Sequence, residues 1–264
     1  MNPMIGKELR QRMRERRGWI LPSLYLVALG AVIAFAYFQM TRRTFRGVQG
    51  FEIGVGLFLT AAYSQLAFLL LLTPIFSAAA LTIEKEQRTM AGLLTSLLGP
   101  TEIWWGKFAA SLMYVLLLLV AGLPILSVVF AFGGVGPREV GMATITTIVI
   151  LATTSAISLY WSSAFRRSVH ATAVSYVSVI LMTVVTFIIF AIEMSVREGS
   201  SWSALPGKAK APLYFNPFFF LTVAFQPVNQ LFPEWTTSLE VFVLLGVLCV
   251  LLTLRNLRRG GEGV

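Results

Sequence analysis

Ser168–Ile192 reads SVHATAVSYVSVILMTVVTFIIFAI, 25 residues without one aspartate, glutamate, lysine or arginine. A helix rises about 1.5 Å per residue, so about 20 apolar residues cross about 30 Å of hydrocarbon. One charge at the centre of such a helix costs about 2.5–3.5 kcal/mol, so a charge-free run of this length is read as a membrane span. The same reading applies to Trp19–Thr41, Ile53–Ile83, Phe108–Pro137 and Val140–Phe165. A sixth run, Val241–Leu254, is short and needs Thr236–Leu254 to cross, which places Glu240 about one turn inside the boundary. The fold class that follows is an all-α polytopic membrane protein with six transmembrane helices. One membrane domain covers residues 1–264, with both ends on the same side.

Composition agrees with that reading. Of the 264 residues, 56% are hydrophobic and 12% charged, against about 25% charged in soluble domains. The net charge of +9 would suggest nucleic acid in a soluble chain, but here the basic residues flank the apolar runs. They point to the membrane surface and the lipid bilayer, and no nucleic acid is expected. The single cysteine, Cys249, cannot form an internal disulfide and supports no thiolate metal site; it reads as a small apolar residue. The first run is long enough to span and ends in Tyr37, Phe38 and Gln39 rather than a small-residue cleavage site, so it is expected to be retained.

Lysine and arginine set the orientation. Fourteen lie before span one, between spans two and three, after span four and after the last span; seven lie on the other side. The fourteen-residue side is expected to be cytoplasmic, which gives an N-in/C-in topology. Ala211–Pro233 is charge-free too, but it holds Pro212, Pro217, Pro227 and Pro233. Proline removes a backbone donor and breaks a regular helix. That stretch reads as short re-entrant or interfacial helices within an external segment, 193–236. Counting it as a span would put the basic tail outside.

Two cytoplasmic segments offer a surface. Residues 2–17 carry Ile5, Leu9 and Met13 at helical spacing among basic residues, which predicts an amphipathic helix lying on the membrane as an anchor or elbow. Residues 82–107 read TIEKEQRTMAGLLTSLLGPTEIWWGK. A polar cluster, Glu84 to Arg88, precedes Met90, Leu93, Leu94, Leu97 and Leu98, which form one face of a short helix. Gly99-Pro100 ends that helix, and Thr101 is placed to cap the next, with Glu102 in its first turn. Trp104 and Trp105 fall where the chain re-enters the interface.

The carboxylates of EKEQ, the threonine after Arg88, the leucine-rich helix and the Gly106-Lys107 before span three resemble the permease subunit of type-2 ABC exporters. So do the opening NPMIGKELRQRMRERR and Pro124 inside span three, and the likeness extends over the whole chain. Arg88 departs from the glycine found there in many relatives. The resemblance implies a permease that pairs with a second permease copy or homologue and binds a separate ATP-binding subunit. It implies that Glu84, Lys85, Glu86, Arg88, Leu93, Leu94 and Leu97 contact that subunit, with Leu93–Leu98 as the coupling helix, and that ATP and magnesium sit on the partner. Consistent with this division, none of the three Gly-Lys pairs, at Gly6, Gly106 and Gly207, lies in a G-x-x-x-x-G-K-[ST] loop. No cofactor is expected on this chain.

Polar residues within the spans are sparse. His170 reads as a packing or interface residue, and Glu193 with Arg197 as a helix-end pair. Without buried carboxylates, proton-driven transport has little support. Thr172, Ser175 and Ser178 share a face of span five and are read as helix packing or as a possible substrate path. Thr73-Pro74 predicts a kink in span two. The function expected is the membrane subunit of an exporter for an amphipathic or lipid-like substrate. A non-transporting scaffold or assembly factor is the alternative. An intramembrane enzyme is a weaker one, because the sequence has one histidine and no aspartate.

Overall fold

The computed structural model describes residues 17–44, 50–88, 99–129, 133, 135–196, 211–225 and 228–258. The surface helix expected over 2–17, the coupling helix with Leu93, Leu94 and Leu97, and Arg197 of the helix-end pair lie outside them. The described chain is helical: α1 (Arg17–Thr44), α2 (Gly50–Ser77), α3 (Ala79–Glu86), α4 (Pro100–Val129), α5 (Pro137–Ala164), α6 (Ser168–Ile180), a π-helical turn (Leu181–Val185) and α7 (Thr186–Val196). A 3-10 turn (Ala211–Phe215), α8 (Pro217–Val223) and α9 (Val228–Arg258) follow.

Among the described residues, six helical stretches are long and apolar enough to cross a membrane: Ile20–Arg42, Gly54–Glu86, Thr101–Ser127, Pro137–Ala164, Ser168–Ile192 and Glu234–Arg258. These are spans one to six. Spans two, three and four form the centre, with Leu57, Ala61, Leu66, Leu118 and Ile150 buried among them, while spans one and five are the most exposed. Span six packs along span four, and polar links tie the pair at three levels. Trp235 Nε1 donates to Thr146 Oγ1 at 3.0 Å, Thr153 Oγ1 to the Phe242 carbonyl at 3.1 Å, and Asn256 Nδ2 to Ser163 Oγ at 3.0 Å. Such bonds matter between membrane helices, where apolar contact with a neighbour is little better than contact with lipid.

Span two is interrupted. Pro74 lies inside α2, and four residues later the helix breaks at Ala78, after which α3 carries the chain one turn past Ile83 through the charges to Glu86. The bond that Pro74 cannot make lies further back, to the carbonyl of Leu70; past the break the N–H groups of Leu81 and Thr82 turn instead to Ser162 of span four.

Span three begins differently from the expectation. Pro100, not Thr101, opens α4; Gly99 stands at the cap and its N–H is met by Glu102 Oε2 at 3.0 Å. Proline needs no partner at the first helical position, and a glutamate two residues on closes the end. The tryptophans separate as well: Trp104 is buried and stacks on Phe108, and Trp105 alone faces outward.

Two further features were not expected. Span five is not a plain α-helix but opens into the π-helical turn at its middle. The last helix starts at Val228 and its apolar crossing at Glu234, ahead of Thr236; Glu240 is exposed on it. Only the 3-10 turn and α8 therefore remain as separate short elements of the proline-rich stretch, and they bury Leu213, Phe220, Leu221 and Val223 against the bundle.

One glycine is required by a close approach. A Cβ on Gly122 would lie 2.7 Å from the Tyr25 hydroxyl and 2.8 Å from Gln65 Nε2, both on buried side chains of spans one and two. Gln65 is held there by a bond to the Leu119 carbonyl. Gly122→Val is expected to destabilise the bundle by about 2 kcal/mol through overpacking, read as a lower thermal midpoint in detergent.

Candidate functional site

The end of the bundle that carries Lys85, Lys107, Arg166, Arg167, Arg255 and Arg258 is its basic end. There, α3, the last part of span two, meets spans three, four and five. As a fresh helix beginning at Ala79, α3 has donors in its first turn that its own carbonyls do not fill. The N–H groups of Leu81 and Thr82 donate to Ser162 Oγ of span four at 2.9 and 3.1 Å. Beneath them Leu81, Ile103, Trp104, Leu159 and Leu257 form one apolar cluster drawn from spans two, three, four and six.

The next turn carries three successive charges. Neighbours on a helix point about 100° apart, so the three side chains reach three different spans. Glu84 meets Lys107 of span three at 2.9 Å, and both side chains are largely buried. Lys85 Nζ donates to the carbonyls of Ser162, Ser163 and Phe165, the last at 3.0 Å. Those carbonyls close span four, where the final turn lacks intrahelical donors and the helix dipole is negative. Glu86 accepts from the N–H and hydroxyl of Ser168 at 2.7 and 2.9 Å, at the opening of span five, where the dipole is positive. The order minus, plus, minus along α3 thus matches a cation, a helix C-terminus and a helix N-terminus.

Arg88 follows with φ of 58°, the left-handed conformation in which a side chain is strained. The glycine that Arg88 replaces in the resembled pattern would relieve that strain. Arg88→Gly is expected to raise stability by about 0.5–1 kcal/mol, and Arg88→Val to lower it, both read from thermal midpoints. Glu86, Gln87 and Arg88 are exposed, whereas Glu84 and Lys85 are turned inward and half-buried.

The other candidate residues lie elsewhere. Ser175 is wholly buried and bonds the Ala171 carbonyl of its own helix at 2.7 Å; Ser178 receives Trp161 Nε1 of span four at 2.9 Å; Thr172 is half-buried. They lie along the seam between spans four and five and do not join the charged cluster. His170 packs beside the Phe165 ring. Sequence reasoning passed over Lys107, Ser162, Ser163, Ser168 and Asn256 as partners of α3 and its neighbours. A serine or asparagine at the polar end of an apolar run was the available signal.

Asn216, one of the polar residues of the proline-rich stretch, carries a link that the sequence does not signal. This side chain is 3% exposed, and its Oδ1 accepts from the N–H groups of Phe218 and Phe219, capping α8. Its Nδ2 donates to the Thr183 carbonyl and to Thr186 Oγ1, both at 2.9 Å. Thr183 lies in the π-helical turn, so Asn216 ties α8 to the irregular part of span five.

A six-span helical bundle with a charged arm joined to the ends of its spans defines an integral membrane protein, with little described structure beyond its membrane domain. The family model described as ABC-2 family transporter protein matches residues 35–255. The chain belongs to that family, whose members are membrane components of ABC transporters. No curated protein matches the chain.

Proposed function

We propose that this chain is the permease of an ATP-driven exporter, powered by a separate ATP-binding subunit that carries ATP and magnesium. Nucleotide-driven closure would press on residues 82–107. Through α3 the push would reach spans three, four and five, which rock between inward-open and outward-open states. The observation that supports this reading is the three-way connection of Glu84, Lys85 and Glu86 to separate spans. Glu86 and Arg88, with Leu93, Leu94 and Leu97, would form the surface that meets the ATPase, while Glu84 and Lys85 pass the motion inward. The basic end would face the cytoplasm, and the membrane would be the cytoplasmic one.

The exposed spans one and five leave room for a second permease copy or homologue. Apolar spans suit an amphipathic or lipid-like substrate. On this reading, Thr172, Ser175 and Ser178 reach the substrate when spans four and five part.

Affinity purification of the tagged chain in mild detergent tests the assignment. A soluble ATP-binding protein is expected to co-purify, and Leu94→Glu with Leu97→Glu to reduce its recovery about tenfold, which corresponds to about 1.4 kcal/mol of lost binding. A chain that purifies alone where its neighbours are expressed would move the scaffold reading to the front.

A further inference from the structure

Seven buried hydroxyls in the spans fold back on the carbonyl four residues earlier. Thr73, Thr82, Ser111, Thr147, Thr154, Ser175 and Thr253 all do so. Four others, Ser77 on span two, Ser155 and Ser158 on span four and Ser238 on span six, meet no described partner at all. The side chains of Ser77, Ser155 and Ser158 are 0%, 0% and 1% exposed, and their hydroxyls form no hydrogen bond among the described residues.

The register of spans two and four sets Ser77 level with Ser158, with Ser155 about one turn further along span four. Leu81 lies opposite Ser162 through its N–H bond, and further along the same pair of helices Leu70 and Ile150, then Ala62 and Ala143, share one core cluster. One turn back from Leu81 and Ser162 on each helix are Ser77 and Ser158. Ser155, Ser158 and Ser162 lie on one face of span four by their spacing of three and four residues. Ser77 also immediately precedes the break at Ala78.

We propose that Ser77, Ser155 and Ser158 hold ordered water between spans two and four, at the joint where α2 gives way to α3. A buried hydroxyl with no partner is costly, and a water takes two to four polar partners of this kind. Three neutral hydroxyls suit water better than a bare cation, which calls for more oxygen ligands and charge. The nearest carboxylate along span two, Glu84, is engaged with Lys107. The inference stands apart from the exporter reading, since it concerns only the packing of this chain.

A cryo-electron microscopy map of the full chain in lipid nanodiscs, at a resolution that shows ordered solvent, tests it. Density within hydrogen-bonding distance of at least two of the three hydroxyls is expected. A dry seam, or hydroxyls turned onto their own helix carbonyls, would overturn it. The combined variant Ser77→Ala, Ser155→Ala and Ser158→Ala gives a second readout. Loss of bound water lowers the thermal midpoint by a few degrees, whereas an unchanged or higher midpoint means that the hydroxyls were dry and contradicts the proposal.

Discussion

Asn216→Asp is expected to destabilise the protein more than Asn216→Ala, although aspartate is the closer in shape. Alanine removes four hydrogen bonds, two that cap α8 and two that reach the π-helical turn. A net bond is worth about 1 kcal/mol, so a loss of about 3–4 kcal/mol follows. Aspartate keeps the two accepting bonds but replaces the donating amide with a carboxylate oxygen 2.9 Å from the Thr183 carbonyl. An unmatched charge at a buried position costs several kcal/mol more. Thermal unfolding in detergent should therefore rank wild type above alanine and alanine above aspartate. A reversed order of the two variants would mean that the Thr183 contact contributes little.

Lys85→Met carries the second large effect. Methionine keeps the length and apolar stem of lysine and removes the ammonium group that serves three carbonyls at the end of span four. Those carbonyls lose a charge-assisted donor, each such bond being worth about 1.5–3 kcal/mol, and the C-terminus of the helix loses its compensating charge. A net loss of about 3 kcal/mol is expected, after allowing for the half-exposed position of the side chain. Glu84→Gln should cost less, because its amide can still accept from Lys107. Unfolding midpoints of the two variants, compared in the same detergent, check the order.

The spans were legible because the bilayer imposes a length and a charge rule that a linear reading can apply, as in Ser168–Ile192. The π-helical turn at Leu181–Val185 was not, since the same apolar residues suit either helix. What accompanies the irregularity is Asn216, thirty-three residues from Thr183 and in a different element. Glu84, Lys85 and Glu86 were legible as a cluster but not as a joint. A run of charges at the end of a span reads as a solvated face, and the partners of Lys85 and Glu86 are the ends of helices about eighty residues away. Backbone carbonyls and N–H groups leave no mark in the sequence. Thr101 illustrates a local misreading: the residue type suits a cap, but Pro100 is better at the first helical position and moves the cap to Gly99.

The coupling of hydrolysis to transport tests the account most directly. The complex of this chain with its co-purified ATPase would be reconstituted in liposomes, and ATP consumed and fluorescent phospholipid moved would be measured together. For wild type, lipid movement should require ATP. For Lys85→Met, the ATPase should remain bound and active while lipid moved per ATP falls about tenfold or more, which corresponds to about 1.4 kcal/mol. A Lys85→Met complex that folds, binds the ATPase and moves lipid at the wild-type ratio would contradict the claim that α3 carries the motion into the spans.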